Sequence, residues 1–180
     1  MNKITVIGAG AWGTALAQTA SKNVESVTIW VREPELVDAI NEQHRNTLYL
    51  PDVLLSDRIT ATNDLNACLD GAEAVLLTVP AQFLRAVCKQ LSAVWKQGLP
   101  AVVCAKGIEQ KTGALMSEML AETLPQAPLA LLSGPTFAEE VALEKPTLVT
   151  LACADEKLGK KLVETLGTST FRPYYTPDVV

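Results

Sequence analysis

Histidine is almost missing from this chain: among 180 residues there is one, His44. The four cysteines, Cys68, Cys88, Cys104 and Cys153, stand far apart with no Cys-x-x-Cys pair. A zinc site drawn from His and Cys has too few ligands here, so no metal is expected. Scattered cysteines among apolar neighbours read instead as small buried hydrophobes. Basic excess is lacking as well. Fifteen Lys and Arg stand against twenty Asp and Glu, a net charge of −5 shared evenly between the two halves. With no basic face for a phosphate backbone, nucleic-acid binding is not expected. No apolar run approaches the roughly 18 residues of a membrane span, so membrane insertion is not expected either. Repeats, low-complexity tracts and an interdomain linker are also absent.

What is there is an ordinary globular composition: 48% apolar, 19% charged and 5% aromatic, with mean hydropathy +0.19. Intrinsic disorder is excluded on those figures. The length suits one domain, residues 1–180, and a chain of this size buries roughly 70% of its unfolded surface without staples. The N-terminus imitates a secretion signal, since Lys3 precedes an apolar stretch and Ala15-Leu16-Ala17 resembles a cleavage site. Three glycines interrupt that stretch, however, each costing about 1 kcal/mol in a helix interior. Unpatterned cysteines also suit a reducing compartment. Cytoplasm is the expected location.

Periodicity then gives the class. Strand-like apolar runs lie at residues 4–7, 27–31, 74–79, 101–104, 129–132 and 147–152, with a weaker one at 59–62. Several are apolar throughout, as strands buried on both faces are. Helical patterns separate them at 11–22, 34–41, 82–95, 115–124, 136–143 and 157–166. This alternation argues an α/β fold with a doubly wound, mostly parallel sheet. Pro34 and Pro80 fall where a helix can start. The longest irregular piece, residues 42–58, is polar with Tyr49-Leu50-Pro51 at its centre, and loops of that length are often functional. The ending, an apolar pair Val179-Val180 after Pro177-Asp178, reads as a cut through a larger protein.

The strongest motif is Gly8-Ala9-Gly10-Ala11-Trp12-Gly13, directly after one strand and opening a helix. In that context each glycine has its own role, Gly8 in the tight turn, Gly10 in the approach of a pyrophosphate, Gly13 in close packing of helix on strand. The amides of Ala11 and Trp12 then face an anion at a helix N-terminus. The second strand ends in Val31-Arg32-Glu33. An acid at that spacing takes the ribose hydroxyls of NAD, whereas an arginine there accommodates the extra phosphate of NADP. Glu33 is followed by Pro34 and is also placed to cap a helix, so the reading favours NADP(H) through Arg32 and leaves NAD(H) open.

Two more strand ends aim at the same crevice. Lys106-Gly107 follows one buried strand, the alternative being a plain surface lysine. Ser133-Gly134-Pro135-Thr136-Phe137-Ala138-Glu139 follows another, where Thr136 and Glu139 have capping-box spacing and the amides after Gly134 would seek an anion. Together with Lys106 this suggests a phosphorylated or carboxylated small-molecule substrate.

The same segments carry a resemblance. GAGAWGTALA at 8–17, WVRE at 30–33, Tyr49-Leu50-Pro51, CAKGIE at 104–109 and SGPTFAEEV at 133–141 resemble bacterial NAD(P)-dependent glycerol-3-phosphate dehydrogenase, in order and over essentially the whole chain. The resemblance implies a Rossmann-like domain and interconversion of sn-glycerol 3-phosphate and dihydroxyacetone phosphate, supplying phospholipid synthesis. It implies dinucleotide contacts at Ala11, Trp12, Arg32, Lys106 and Ala138, and substrate contacts at Lys106, Gly134 and Thr136. Where many members carry Ser, this chain has Ala11, leaving only the amide, and Thr136, which keeps the hydroxyl. The family's helical second domain, with its proton-accepting lysine and phosphate-binding Arg-Asn pair, is absent from these residues. No catalytic base is therefore expected before Val180, and the chain reads as the cofactor domain of a two-domain enzyme. An apolar face left uncovered would associate, which leaves a homo-oligomer open. The competing readings are another NADP-dependent reductase of a small hydroxy acid and a non-catalytic dinucleotide-sensing domain.

Overall fold

In β1 (Lys3–Ile7), Ile4 and Val6 point to one face of the sheet and Ile7 to the other, all fully buried. A strand with no wet face must lie inside a sheet covered on both sides. The computed structural model, which describes residues 1–179, shows that sheet; Val180, half of the apolar ending, lies outside the described residues. The chain runs from β1 into α1 (Ala11–Ala20), then β2 (Ser26–Trp30), α2 (Pro34–Gln43), β3 (Ile59–Thr62) and β4 (Ala74–Leu77). It continues through α3 (Ala81–Leu91), β5 (Ala101–Val103), α4 (Met116–Thr123), β6 (Leu129–Ser133) and α5 (Ala138–Ala142). β7 (Thr147–Ala152), α6 (Glu156–Leu166) and β8 (Phe171–Thr176) complete it.

Strand order is β3-β2-β1-β4-β5-β6-β7-β8. β1 to β6 are mutually parallel, with β1 between β2 and β4 in register Ile7 to Trp30 and Ile7 to Leu77. The chain thus leaves β1 in one direction and later crosses to its other side, and ligands of doubly wound sheets bind at that switch point. One face carries α1, α5 and α6 over Ile4, Val6, Val102 and Leu151; the other carries α3 and α4 over Ile7, Leu77 and Val103. Each fully buried Leu or Ile contributes about 1.5–3 kcal/mol.

The sheet is mostly parallel, as expected, with one antiparallel pairing, and three other expectations are corrected. β7 runs antiparallel to β6. A parallel return needs a crossover that spans the strand, but α5 has five residues and is about 7.5 Å long, whereas β6, also five residues, is about 16 Å long. The chain therefore turns back from the edge at which β6 ended. The eleven-residue α6 is long enough, and β8 pairs parallel to β7. β8 itself was not expected, because Arg172 and Pro173 break its apolar run; its place at the sheet edge tolerates a proline without a donor N–H. The helix expected over 136–143 shrinks to Ala138–Ala142, with Phe137 as N-cap. Pro80 sits one residue ahead of the first helical position, as the N-cap of α3.

All four cysteines are buried and free. Burial pushes the Cys68 thiol up to about 12 and Cys88 up to about 11, so neither ionises at neutral pH. Among the described residues no helix is long and apolar enough to cross a membrane.

Candidate functional site

The glycine turn joins β1 to α1 at the switch point. Gly8 has φ +112, a left-handed conformation that side chains rarely adopt, and Gly10 is the extended N-cap of α1. No atom lies within 4 Å of where a Gly10 Cβ would stand, so the space beside its backbone is open to a ligand. At Gly13 a Cβ would collide with the Gly8 carbonyl and with Thr78 Oγ1, so this glycine lets helix and turn touch. No acidic residue occupies the first turn of α1, which leaves its positive N-terminal end uncompensated.

Two residues that sequence reasoning missed hold this turn. Thr78, just past β4, places Oγ1 2.9 Å from the Ile7 carbonyl and 2.8 Å from that of Gly8, donating its one proton between them. Asn46 is fully buried. Its Nδ2 donates to Ala9 O and to Thr14 Oγ1, both at 2.7 Å, while its Oδ1 accepts the amide of Tyr49 at 3.1 Å. The irregular 42–58 segment is thereby tied to the glycine turn. An asparagine three residues before Tyr49-Leu50-Pro51 was the available signal, since Asn side chains fix turns through their own backbone.

Ala11 and Trp12 lie on different sides of the turn. Ala11 lines a cavity of about 280 Å³ with Tyr49, Pro51, Val53 and Glu139. Trp12 lines one of about 230 Å³ with Thr78, Pro80, Cys104, Lys106, Thr136 and Ala138. Its Nε1 donates to Cys104 O at 3.2 Å, and Lys106 Nζ stands 5.6 Å from the centre of its ring, within cation–π range. Lys106 Nζ also donates to Thr136 O at 3.4 Å. The ends of β1, β5 and β6 thus converge on one cavity, bringing together Trp12, Lys106, Thr136 and Ala138. Thr136 Oγ1 is buried beside it without a hydrogen-bond partner. An orphaned hydroxyl and an open glycine cradle at a helix N-terminus are what a bound phosphorylated group would complete.

The capping box expected of Thr136 and Glu139 does not form. Thr136 lies outside the helix, its amide bonding to Gly134 O at 3.0 Å, and α5 has no side-chain cap. Gly134 has a packing reason of its own: a Cβ there would come within 2.9 Å of Val149 Cγ1 and 3.0 Å of Leu148 O on β7.

Arg32 lies apart from that cavity, just beyond β2, with its side chain 75% exposed. Its Nε and Nη2 donate to Glu33 Oε1 at 3.2 and 2.8 Å, and Tyr49 Oη donates to the same oxygen at 3.2 Å. Partial desolvation pushes the Glu33 carboxyl up, but the hydrogen bonds from Arg32, the backbone and Tyr49 outweigh it and hold it below its ordinary value. Glu33 is the N-cap of α2 without capping it through its side chain.

A glycine turn at the switch point of a doubly wound sheet, opening a helix with an uncompensated N-terminus, defines a dinucleotide-binding domain. The family is settled by comparison: residues 3–159 match the model of the NAD-dependent glycerol-3-phosphate dehydrogenase N-terminus, and the chain belongs to that family. It is 55% identical over 180 residues to glycerol-3-phosphate dehydrogenase [NAD(P)+] of Paramagnetospirillum magneticum, spanning all of this chain and 65% of that protein. Against the enzyme of the same name from Rhodospirillum rubrum it is 56% identical, over all of this chain and 52% of the relative. The chain thus spans between half and two thirds of these relatives. The crystal structure of glycerol-3-phosphate dehydrogenase from Coxiella burnetii superposes with a TM-score of 0.92 at 32% identity, covering 99% of this chain and 55% of that one.

Proposed function

We propose that this chain is the dinucleotide-binding part of an enzyme interconverting sn-glycerol 3-phosphate and dihydroxyacetone phosphate, with NADP(H) preferred. The observation that carries the reading is the convergence of Trp12, Lys106, Thr136 and Ala138 on one cavity beside the open glycine cradle. A bound nicotinamide dinucleotide supplies the hydride chemistry. The chain's own residues bind and orient. The amides after Gly10 and the α1 N-terminus hold a pyrophosphate, while Gly8 and Gly13 keep them in place. Lys106 brings positive charge to the cavity, where it contacts the dinucleotide and also favours a substrate phosphate or a developing negative charge on the carbonyl oxygen. The Thr136 hydroxyl donates its free proton to the same substrate, with Gly134 keeping that loop against the sheet. Arg32, exposed at the end of β2, reads a 2′-phosphate, and Ala138, which lines the cavity, contacts the dinucleotide. Oxidation of the substrate alcohol also releases a proton, and its acceptor comes from outside these 180 residues. The site takes a phosphorylated small molecule and belongs in the cytoplasm.

The test is direct. The purified chain mixed with NADPH gives a calorimetric signal, and added dihydroxyacetone phosphate causes no oxidation above the buffer rate. Absence of any dinucleotide binding overturns the reading. Substantial turnover overturns the division of labour and makes Lys106 the leading base.

A further inference from the structure

Lys106 is held loosely by its own contacts: one long hydrogen bond to Thr136 O and the Trp12 ring. The next residue, Gly107, has φ +105, a conformation that favours glycine and turns the chain away from β5. What fixes the chain beyond that turn comes from α3. Arg85 grips Glu109 with both arms of its guanidinium, Nε to Oε1 at 2.7 Å and Nη2 to Oε2 at 2.9 Å. Thr112 Oγ1 donates to Oε2 as well, and Glu122 of α4 accepts from Arg85 Nη1. Gln82, three residues before Arg85 on the same helical face, donates to Ile108 O at 2.8 Å and accepts from the Gln110 amide at 2.9 Å. Two side chains of α3 therefore clamp Ile108, Glu109 and Gln110. The other end of the lever is at the cavity, since α3 begins directly after Pro80, which lines it.

Stability alone is a weak reason for this arrangement. Glu109 is 6% exposed, and taking an ion pair out of water usually gains little over an apolar pair. A bidentate pair does fix geometry, and side chains at functional sites depend on such supporting contacts, because a displacement of about 1 Å costs on the order of 10²-fold.

We infer that Gln82 and Arg85 of α3, acting through the Glu109 loop, are positioning residues that set where Lys106 stands over Trp12. The inference rests on the dinucleotide-domain reading above. The test is a double-mutant cycle on the 180-residue chain, with NADPH as the probe and calorimetry as the readout: Lys106→Ala, Glu109→Gln and both together. Lys106→Ala weakens binding about tenfold, the order expected of a charge-assisted contact. Glu109→Gln weakens it several-fold, and the double variant is no worse than Lys106→Ala alone, because Glu109 acts only through the lysine. Combined with Arg32→Ala, the Glu109→Gln loss multiplies in full, since those sites share no partner. General loosening of the domain would multiply with both. Should Glu109→Gln fail to fold, Gln82→Ala enters the same cycle without removing a charge. Independent multiplication with Lys106→Ala overturns the inference, as does wild-type binding by Glu109→Gln or by Lys106→Ala. A wild-type chain that binds no NADPH overturns the dinucleotide reading and this inference with it. Binding by wild type with an additive cycle overturns this inference alone.

Discussion

Replacing Asn46 by alanine should separate the stability of this domain from its capacity to bind. The side chain is fully buried and serves three groups: Ala9 O, Thr14 Oγ1 and the Tyr49 amide. Thr14 keeps a partner of its own, donating to Ala9 O at 3.3 Å, so the variant leaves the Ala9 carbonyl with one long bond. Each buried group left short costs about 1–3 kcal/mol. With Ala9 O partly covered and the Tyr49 amide near the surface, the sum is roughly 2–4 kcal/mol at the lower part of that range. In a domain of this size that lowers the melting temperature by roughly 4–16 °C, at 2–4 °C per kcal/mol. A control lies one turn away. Asn41 clamps β3 in a similar way, its Nδ2 donating to Ala61 O at 3.0 Å and its Oδ1 accepting from Ala61 N at 2.7 Å, but it does not touch the glycine turn. Asn41→Ala should therefore cost about 1–3 kcal/mol of stability and leave dinucleotide affinity unchanged, whereas Asn46→Ala should lose affinity even at temperatures where it is fully folded. Urea unfolding followed by circular dichroism gives the first quantity and titration calorimetry the second. An Asn46→Ala protein that binds NADPH as the wild type does refutes the claim that this side chain holds the anion-binding peptide in place.

Arg32→Ala should weaken NADPH binding by about 1.5–3 kcal/mol, toward the lower value for so exposed a group, with NADH affinity nearly unchanged; equal losses for both cofactors show that Arg32 does not read a 2′-phosphate. Glu139→Ala, which breaks no cap here, should change stability by less than about 0.5 kcal/mol, and a larger loss in urea unfolding means that the helix start is closed differently in solution. Acid should expose Glu109. Hydrogen bonds from Arg85 and Thr112 hold its carboxyl at about 2 when folded, below the roughly 4.3 of an unfolded chain. Its ionised form therefore contributes stability above about pH 4.3, and that contribution is lost as the pH falls through 2. Glu109→Gln should flatten the corresponding part of the stability–pH curve, and an unchanged acid limb would show that the pair is not formed.

Much of the fold was legible because its strands are apolar on both faces, and β1, β2, β4, β5, β6 and β7 begin or end within about two residues of their apolar runs. What the pattern could not carry is direction. A run such as Thr147-Leu148-Val149 reads the same whichever way it is laid in the sheet, and the antiparallel β7 follows from the five residues of α5, a length that periodicity overestimated by counting Thr136 and Phe137 as helical. β8 was hidden by Pro173, whose missing donor is harmless only at an edge. In the candidate site the residues at strand ends were found, since glycines and a lysine after an apolar run announce themselves. Asn46 and Thr78 were not, because their role is to satisfy carbonyls of a turn many residues away; the one local mark is the spacing of Asn46 before Tyr49-Leu50-Pro51.

The antiparallel turn after β6 also explains why the site has the composition it has. Because β7 comes back alongside β6, the backbone at Gly134 lies against Leu148 and Val149 with no room for a side chain. The chain must then fold outward within two residues, and the bond from the Thr136 amide to Gly134 O is that fold. A threonine used in this way cannot cap α5, which starts two residues later. Its carbonyl is instead turned to Lys106 and its hydroxyl is left buried without a partner. An unsatisfied hydroxyl is a cost that a native fold does not carry without cause. Thr136, Lys106 and Trp12 line one small cavity, so on the function proposed above a phosphorylated ligand seated there is the group that would give the stranded hydroxyl a partner.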